Sequence, residues 1–202
     1  SGLILEFLKM VESNGSPFNT SGFVNLLQNR VKMRLRQQND AHEIFLLIVE
    51  IFKNESPVFN EFFNGKYKTN YICCNCGNKR SNLEDFISIP LFPKATMKES
   101  IEDYIKTEYF EEIFCENCDK KVKTKKKIKI QTFPKILIFQ IIRFISINKI
   151  EHHERLLIHK NKYSFQGIVN HVGTLDCGHY TYTDSINVYD DENTYKMNKM
   201  TP

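Results

Sequence analysis

A histidine near the C-terminal end of the chain stands where a general base could be placed. Residues 167–172 form a β-prone run, a short connection follows, and Gly178-His179-Tyr180 opens a second β-prone run. The imidazole pKa lies close to neutral pH, and a preceding glycine lets the backbone approach a ligand. A hairpin histidine that only hydrogen-bonds to its neighbours fits the same stretch, so these residues leave both interpretations open.

Two acids follow His179 at a distance of about one strand. A strand from Tyr180, a turn near Asp184 and a return strand would bring Asp190 back beside His179. A carboxylate in that place fixes the tautomer of the imidazole and stabilises the imidazolium that forms when the ring takes a proton. The alternative is that Asp190 and Asp191 are two solvated turn acids.

The sequence offers His179 no obvious nucleophile. Cys177 lies two residues before it, and on a strand the two side chains would share a face about 7 Å apart, which is too far for a hydrogen bond between a nucleophile and its base. We therefore do not expect Cys177 to be the nucleophile. His171, in the first β-prone run, is expected to be a packed structural histidine.

Four cysteines form two Cys-x-x-Cys pairs, and turn-forming residues flank both pairs. Four thiolates bind zinc tetrahedrally, so the spacing predicts one structural zinc ion held by Cys73, Cys76, Cys115 and Cys118. A closed site of this kind leaves no open position for catalysis, and it would pin the tip of a long β-extension. Four free buried cysteines are the alternative, and Cys74 is expected to be a bystander.

The elements that must position these residues fall into a helical part and a β-rich part. Apolar spacing predicts helices over residues 3–11, from Thr20 or Ser21 to Val31, and after Asp40. The third helix is apolar nearly all round, which predicts that it is buried between other elements. Helix is expected up to about Phe63.

From residue 65 onward the pattern changes to short β-like runs. Residues 67–72 and 83–89 are β-like, and residues 97–105 have helical spacing. Residues 122–131 alternate lysine with Val, Ile and Thr, which predicts a strand with one wet face at an edge of the sheet, where lysine discourages pairing with other chains. Residues 136–144 form an apolar run typical of a central strand, and residues 146–162 are expected to be loop.

Length and composition limit the class of protein. With 202 residues, 41% of them hydrophobic, the chain is expected to form one domain with a real core. A net charge of +4 indicates neither a histone-like protein nor an acidic tail. Paired rather than scattered cysteines favour a reducing compartment, cytoplasmic or nuclear, and no apolar run reaches the length of a membrane span. We expect a monomer.

Several segments, in order along the chain, resemble the catalytic domain of the ubiquitin-specific proteases, which are papain-like deubiquitinases. The matching segments are QNDAHEIF at 38–45, the two cysteine pairs, SNLEDF at 81–86 with IPL at 89–91, FPKILI at 133–138 with RF at 143–144, YSFQGIV at 163–169, and GHY at 178–180. Each segment is a weak signal alone, but their order makes chance similarity a poor explanation.

The resemblance implies an α+β fold shaped like a hand. It implies a helical thumb at about residues 1–63, zinc-tipped β fingers at about 64–80 and 108–132, and an antiparallel β palm at about 81–107 and 133–202. Ubiquitin would rest on the fingers while its tail passes between thumb and palm. Asp40 and Glu43 would bind that tail, although the same spacing satisfies a helix capping box.

The implied activity is thiol-dependent hydrolysis of the bond after ubiquitin's last glycine, with His179 as base and Asp190, the first acid of its box, as orienting residue. The family's Cys box, which carries the nucleophile, and its closing strand after the acids are not found in the sequence. We therefore expect this chain to bind ubiquitin without hydrolysing it. The alternatives are a catalytically dead ubiquitin-binding pseudoenzyme and, more remotely, a zinc-ribbon protein that binds nucleic acid through the lysine-rich strand; specific nucleic-acid and membrane partners are not expected.

Overall fold

The computed structural model describes residues 2–13, 16–31, 38–143, 155–158, 161–174 and 177–196. Chain contacts divide the protein into two compact units. The first unit contains residues 1–61 and 166–202, and the second contains residues 62–165. The single domain expected from the sequence stays a prediction.

The first unit begins with helices that share an apolar cluster. The helices of this part are α1 (Leu3–Glu12), α2 (Ser21–Val31), α3 (Ala41–Glu55) and α4 (Val58–Phe63), the last of which crosses the boundary between the units. Leu3, Leu27 and Phe52 are buried at the centre of the cluster. Helix α3 is less buried than predicted, because Val49 and Phe52 are its two buried residues and its other apolar side chains are only partly buried.

The carboxylate of Glu55 links helices α1, α2 and α3. Glu55, at the end of α3, accepts hydrogen bonds from the backbone N–H groups of Leu3 and Ile4 at 3.0 and 3.1 Å. It also pairs with Arg30 of α2 at 2.6 Å. The first N–H groups of a helix have no partner within the helix, so this contact satisfies two of them and links the start of α1 to the end of α3.

The first unit also contains a four-stranded antiparallel sheet. Its strands follow one another in space as they do in the chain: β9 (Ile168–Gly173), β10 (Gly178–Thr183), β11 (Asn187–Asp190) and β12 (Asn193–Lys196). Strand β12 follows the two acids directly, and the absence of the family's closing strand stays a prediction. Asp191 allows the chain to reverse there, since it adopts a left-handed conformation with φ of 49°.

The second unit is built on a long antiparallel sheet with the order β2-β1-β5-β4. Its strands are β1 (Gly65–Cys73), β2 (Lys79–Phe86), β4 (Glu108–Cys115) and β5 (Lys120–Thr132). We call it the finger sheet. The lysine-rich strand β5 lies between β1 and β4, so its predicted place at the edge of a sheet is wrong.

An apolar cluster closes one end of the finger sheet. Phe86 and Ile130 from the sheet are buried there with residues of β3 (Ser88–Leu91) and α5 (Met97–Ile105). Strand β6 (Ile138–Ile141) pairs in parallel with β3. Among the described residues β6 has no second strand partner, so it is not the central strand predicted; its apolar side chains pack on this cluster instead.

A short hairpin lies in the stretch that was predicted to be loop. Strands β7 (Arg155–Ile158) and β8 (Asn161–Ser164) pair in antiparallel register. Residues 144–154 and 159–160 of this region lie outside the described residues.

No helix among the described residues has the length and apolar character needed to cross a membrane.

Candidate functional site

The sheet of the first unit brings His179 and Asp190 together. Nε2 of His179 lies 2.5 Å from Oδ1 of Asp190, and both side chains are partly exposed, at 49% and 38%. Strands β10 and β11 run antiparallel with Tyr182 opposite Tyr189, which places His179 and Asp190 in diagonal positions on one face. Asp191 is close as well, since a ring nitrogen of His179 and one carboxylate oxygen from each of Asp190 and Asp191 all lie within 4.8 Å of one another.

The turn between β10 and β11 fixes the register on which this contact depends. The Asp184 carboxylate accepts hydrogen bonds from the backbone N–H groups of Ile186 and Asn187 at 2.6 and 2.7 Å. The hydroxyl of Tyr189 donates to the same carboxylate at 3.0 Å. A shift of the pairing by one residue would move Asp190 to the opposite face, so this turn keeps the acid beside the histidine.

The neighbouring acids change the protonation of the histidine. The hydrogen bond with Asp190 raises the pKa of His179 above its ordinary value, and the negative charge of Asp191 acts in the same direction. Among the described residues Nδ1 of His179 has no hydrogen-bond partner. With Nε2 held by Asp190, Nδ1 is the ring nitrogen that can take a proton from another group.

A side chain at Gly178 would collide with the ring of His171, and the approach of a ligand to this glycine stays a prediction. A Cβ atom at this position would lie 1.9 Å from Nε2 of His171. The His171 ring also contacts the Tyr180 ring, with 4.7 Å between their centroids. This is the packed structural role expected for His171.

Two contacts that the sequence did not indicate connect the start of α3 and the residues just before it with the strand that carries His179. The backbone N–H of Gly178 donates to the side-chain oxygen of Gln38 at 3.3 Å. The backbone N–H of Ala41 donates to the hydroxyl of Tyr180, also at 3.3 Å. The partners are separated by about two thirds of the chain, so sequence spacing carried no signal for either contact.

Asp40 caps helix α3. Its Oδ1 accepts hydrogen bonds from the backbone N–H groups of His42 and Glu43 at 2.7 and 3.0 Å. Both Asp40 and Glu43 are exposed. The capping interpretation of Asp40 is therefore visible in the structure, and a role of these two acids in binding a ubiquitin tail stays a prediction.

One cysteine, Cys177, lies two residues before His179 in the sequence. Cys177 is exposed and belongs to the turn between β9 and β10, where its backbone oxygen accepts a hydrogen bond from the N–H of Thr174 at 2.8 Å. The other five cysteines of the chain belong to the second unit.

The second candidate site is the cysteine cluster in the finger sheet. Sγ of Cys73 lies 3.8 Å from Sγ of Cys118, and Sγ of Cys76 lies 3.7 Å from Sγ of Cys115. All four sulfur atoms lie within 4.8 Å of one another. The structure brings together the four residues that the spacing selected, and Cys74 is exposed outside the cluster.

The two turns that hold the cysteines have similar geometry. In each, the residue after the second cysteine has positive φ: 74° at Gly77 and 51° at Asp119. Glycine and aspartate tolerate this conformation, which folds the chain back tightly enough to direct both sulfur atoms of a pair inward. Hydrogen bonds from the backbone of Asn78 and the side chain of Asn117 lower the pKa of Cys76 to about 6.

The cluster fits zinc by size and by chemistry. Four sulfur atoms at about 2.3 Å from one zinc ion form a tetrahedron with edges of about 3.8 Å. The two closest sulfur pairs match that edge. When bound, zinc would supply a structural cross-link between the β1–β2 and β4–β5 hairpins, because four thiolates complete its coordination.

Comparison with known proteins gives three kinds of match. The family model for ubiquitin carboxyl-terminal hydrolases matches residues 3–201. Among curated proteins, the probable ubiquitin carboxyl-terminal hydrolase FAF of Drosophila melanogaster is 26% identical over 195 residues, which is 73% of this chain and 7% of that protein. Ubiquitin carboxyl-terminal hydrolase 48 of Rattus norvegicus is 27% identical over 164 residues, which is 74% of this chain and 15% of that protein.

A solved structure has the same fold. The SAGA Ubp8/Sgf11/Sus1/Sgf73 DUB module bound to ubiquitin aldehyde matches with a TM-score of 0.73 and 21% sequence identity, covering 89% of this chain and 50% of the matched chain. This likeness confirms the α+β protease-hand fold class predicted from the sequence. Since the family model matches nearly the whole chain, the resemblance to ubiquitin-specific proteases is also confirmed, and the chain belongs to the ubiquitin carboxyl-terminal hydrolase family.

Proposed function

We propose that this chain supplies the histidine and aspartate of a cysteine-type deubiquitinase that cleaves the bond after ubiquitin's C-terminal glycine. The observation that carries the proposal is the contact of 2.5 Å between His179 and Asp190 in a member of this family. The chain spans 7% and 15% of the length of the two curated relatives named above, so the activity of the whole protein is part of the proposal.

In the proposed mechanism the thiol comes from outside the residues described here. A free thiol has a pKa of about 8.5 and is mostly protonated at neutral pH. Nδ1 of His179 takes its proton, and Asp190 stabilises the imidazolium through Nε2–H. The thiolate then attacks the carbonyl carbon of ubiquitin's last glycine.

His179 acts twice more before the enzyme is restored. The Nδ1 proton passes to the leaving amine as the carbon–nitrogen bond breaks, which leaves a thioester between the cysteine and ubiquitin. The ring then takes a proton from water, whose oxygen attacks the carbonyl carbon of the thioester. The carbon–sulfur bond breaks, which releases the ubiquitin carboxylate and returns the cysteine thiolate beside the protonated ring. Asp190 holds one tautomer and one ring orientation through each step.

The test compares variants of the parent protein that contains the Cys box. We expect His179→Ala to abolish turnover of a ubiquitin C-terminal fluorogenic substrate while binding of ubiquitin survives. Asp190→Asn should lower turnover by several orders of magnitude, with Asp191→Asn as the matched control that loses far less. Full turnover by His179→Ala would overturn the mechanism, and greater loss in Asp191→Asn than in Asp190→Asn would reassign the orienting acid.

A second measurement tests the source of the thiol. We expect the 202-residue chain to bind ubiquitin without hydrolysing the fluorogenic substrate. Turnover by this chain that disappears in Cys177→Ser would show that Cys177 is the nucleophile and that the proposal is wrong on this point. Absence of a Cys box from the parent protein would instead favour the ubiquitin-binding pseudoenzyme.

A further inference from the structure

One face of the finger sheet carries a row of lysines that take no part in the proposed catalytic steps. Along β5 the side chains alternate between faces, and five lysines share the face opposite the one that holds Ile130 in the apolar cluster. They are Lys121, Lys123, Lys125, Lys127 and Lys129. Because β5 is an interior strand of its sheet, protection of an exposed edge does not explain them.

The neighbouring strands extend this surface on both sides. Lys68 of β1 lies directly opposite Lys129. On β4, Tyr109 lies opposite Lys125 and Phe114 lies opposite Lys121. We call the five β5 lysines together with Lys68, Tyr109 and Phe114 the lysine face.

Much of its charge is not neutralised within the protein. Lys121 and Lys123 pair with Glu112 and Glu111 at 3.8 and 2.7 Å. Over the part of the chain that the structure describes, no carboxylate forms an ion pair with the other four lysines. These four are Lys68, Lys125, Lys127 and Lys129. Like charges directly across two strands, as at Lys68 and Lys129, destabilise a sheet unless an anion compensates them.

The same face presents two aromatic rings to solvent. Tyr109 and Phe114 are each 54% exposed. The Nζ atoms of Lys123 and Lys125 lie 5.6 and 6.0 Å from the centre of the Tyr109 ring. Exposed rings placed beside lysines are a combination found where proteins bind single strands of nucleic acid, because bases stack on the rings while cations follow the backbone.

We propose that the lysine face binds single-stranded nucleic acid without sequence preference. Alternate residues of β5 place cations about 6.7 Å apart in a row along the strand. The backbone phosphates of a single strand lie along this row, and its bases stack on Tyr109 and Phe114. An acidic protein segment would satisfy the lysines and leave both rings uncovered, so the rings favour nucleic acid.

The first experiment measures binding of the zinc-loaded 202-residue chain to a fluorescent oligo(dT) and an oligo(U) by anisotropy over a range of salt concentrations. Four lysines that each neutralise one phosphate predict that the logarithm of affinity falls with the logarithm of salt with a slope of about −3. No binding of either oligonucleotide at low salt would overturn the proposal.

A pair of lysine variants locates the surface. Lys127→Ala with Lys129→Ala should weaken oligonucleotide binding about tenfold and reduce the magnitude of the salt slope by about 1.4. The matched control, Lys9→Ala with Lys98→Ala, removes the same charge from exposed helix positions and should change affinity less than twofold. Equal losses in the two double variants would show that net charge alone acts, which contradicts the proposal.

An aromatic variant distinguishes nucleic acid from an acidic protein. Tyr109→Leu should weaken oligo(dT) binding at least fivefold and leave the salt slope unchanged, because it removes stacking and no charge. Binding of poly-glutamate should be weaker than that of oligo(dT) and should not respond to Tyr109→Leu. Equal affinity for poly-glutamate, with no effect of Tyr109→Leu on either ligand, would identify an acidic protein segment as the partner and overturn the proposal. Zinc content and the far-UV spectrum verify that every variant folds.

Discussion

At the scale of single residues, the chemistry depends on which nitrogen of His179 is engaged. Asp190 holds Nε2 at 2.5 Å, so the nitrogen on the other side of the ring is the one available to a thiol. Asp191 lies close enough to add negative charge, and among the described residues Asp190 alone forms a hydrogen bond with the ring. The two adjacent acids should therefore have separable effects on the histidine.

The titration of His179 provides a direct test. Because its pKa is raised in the folded protein, the contact with Asp190 stabilises the fold below the unfolded pKa of about 6.5, and this contribution is lost as pH rises through the folded pKa. We expect the NMR midpoint of His179 to lie above 6.5 and to fall markedly in Asp190→Asn. Asp191→Asn, the control, should lower it less; an equal fall in both variants would mean that charge rather than the hydrogen bond raises the pKa.

At the scale of elements, two roles are proposed for Asp40 at the start of helix α3. Asp40 caps the helix through two backbone N–H groups, and the family resemblance also assigns it to the ubiquitin tail. Ala41 at the start of α3, and Gln38 just before the helix, contact the strand of His179. A substitution at Asp40 must therefore separate the hydrogen bond of the cap from the charge of the carboxylate.

Asparagine makes that separation, because it caps helices about as well as aspartate but carries no charge. Asp40→Ala should lower the free energy of unfolding by about 1 kcal/mol, while Asp40→Asn should leave it nearly unchanged. If the carboxylate binds ubiquitin's basic tail, Asp40→Asn should weaken ubiquitin binding, and Glu43→Ala should weaken it without loss of stability. Denaturant unfolding and calorimetric titration with ubiquitin measure the two effects; unchanged affinity in both Asp40→Asn and Glu43→Ala would leave Asp40 with the cap alone.

At the scale of the whole molecule, the two units depend on different sources of stability. The first unit has a helical cluster around Leu3, Leu27 and Phe52. In the second, the apolar cluster lies at one end of the finger sheet, and the strand β2 is exposed along most of its length. The far ends of its hairpins are joined at the four cysteines, so we expect a metal ion there to supply order that apolar burial does not.

Removal of zinc should therefore affect the two units unequally. We expect one zinc per chain by elemental analysis and its loss in Cys115→Ser, because three thiolates no longer close the tetrahedral site. Amide exchange should accelerate at the hairpin ends of β1–β2 and β4–β5, while α1, α2 and α3 keep their protection and their far-UV signal. Cys74→Ser, which leaves the cluster intact, should retain zinc; metal-free protein after purification without chelator would contradict the zinc assignment.

The sequence determined those features that depend on local pattern and residue chemistry. Helix α5 spans the residues its spacing predicted, and the two Cys-x-x-Cys turns bring their sulfur atoms together because each pair needs only a local turn. Asp190 returns beside His179 for a similar reason, since one short hairpin connects them. The ordered motifs also gave the family, which the match over residues 3–201 confirms.

Only the tertiary structure decided features that depend on which strands become neighbours. Alternation showed that β5 has a lysine side, but its interior position follows from pairing with both β1 and β4. Apolar content suggested a central strand at β6, whereas its side chains pack on the cluster around Ile89 without a second partner strand among the described residues. Gln38 and Gly178 likewise meet although they are far apart in the sequence. Local sequence patterns do not predict such a contact, because it depends on how the elements pack together.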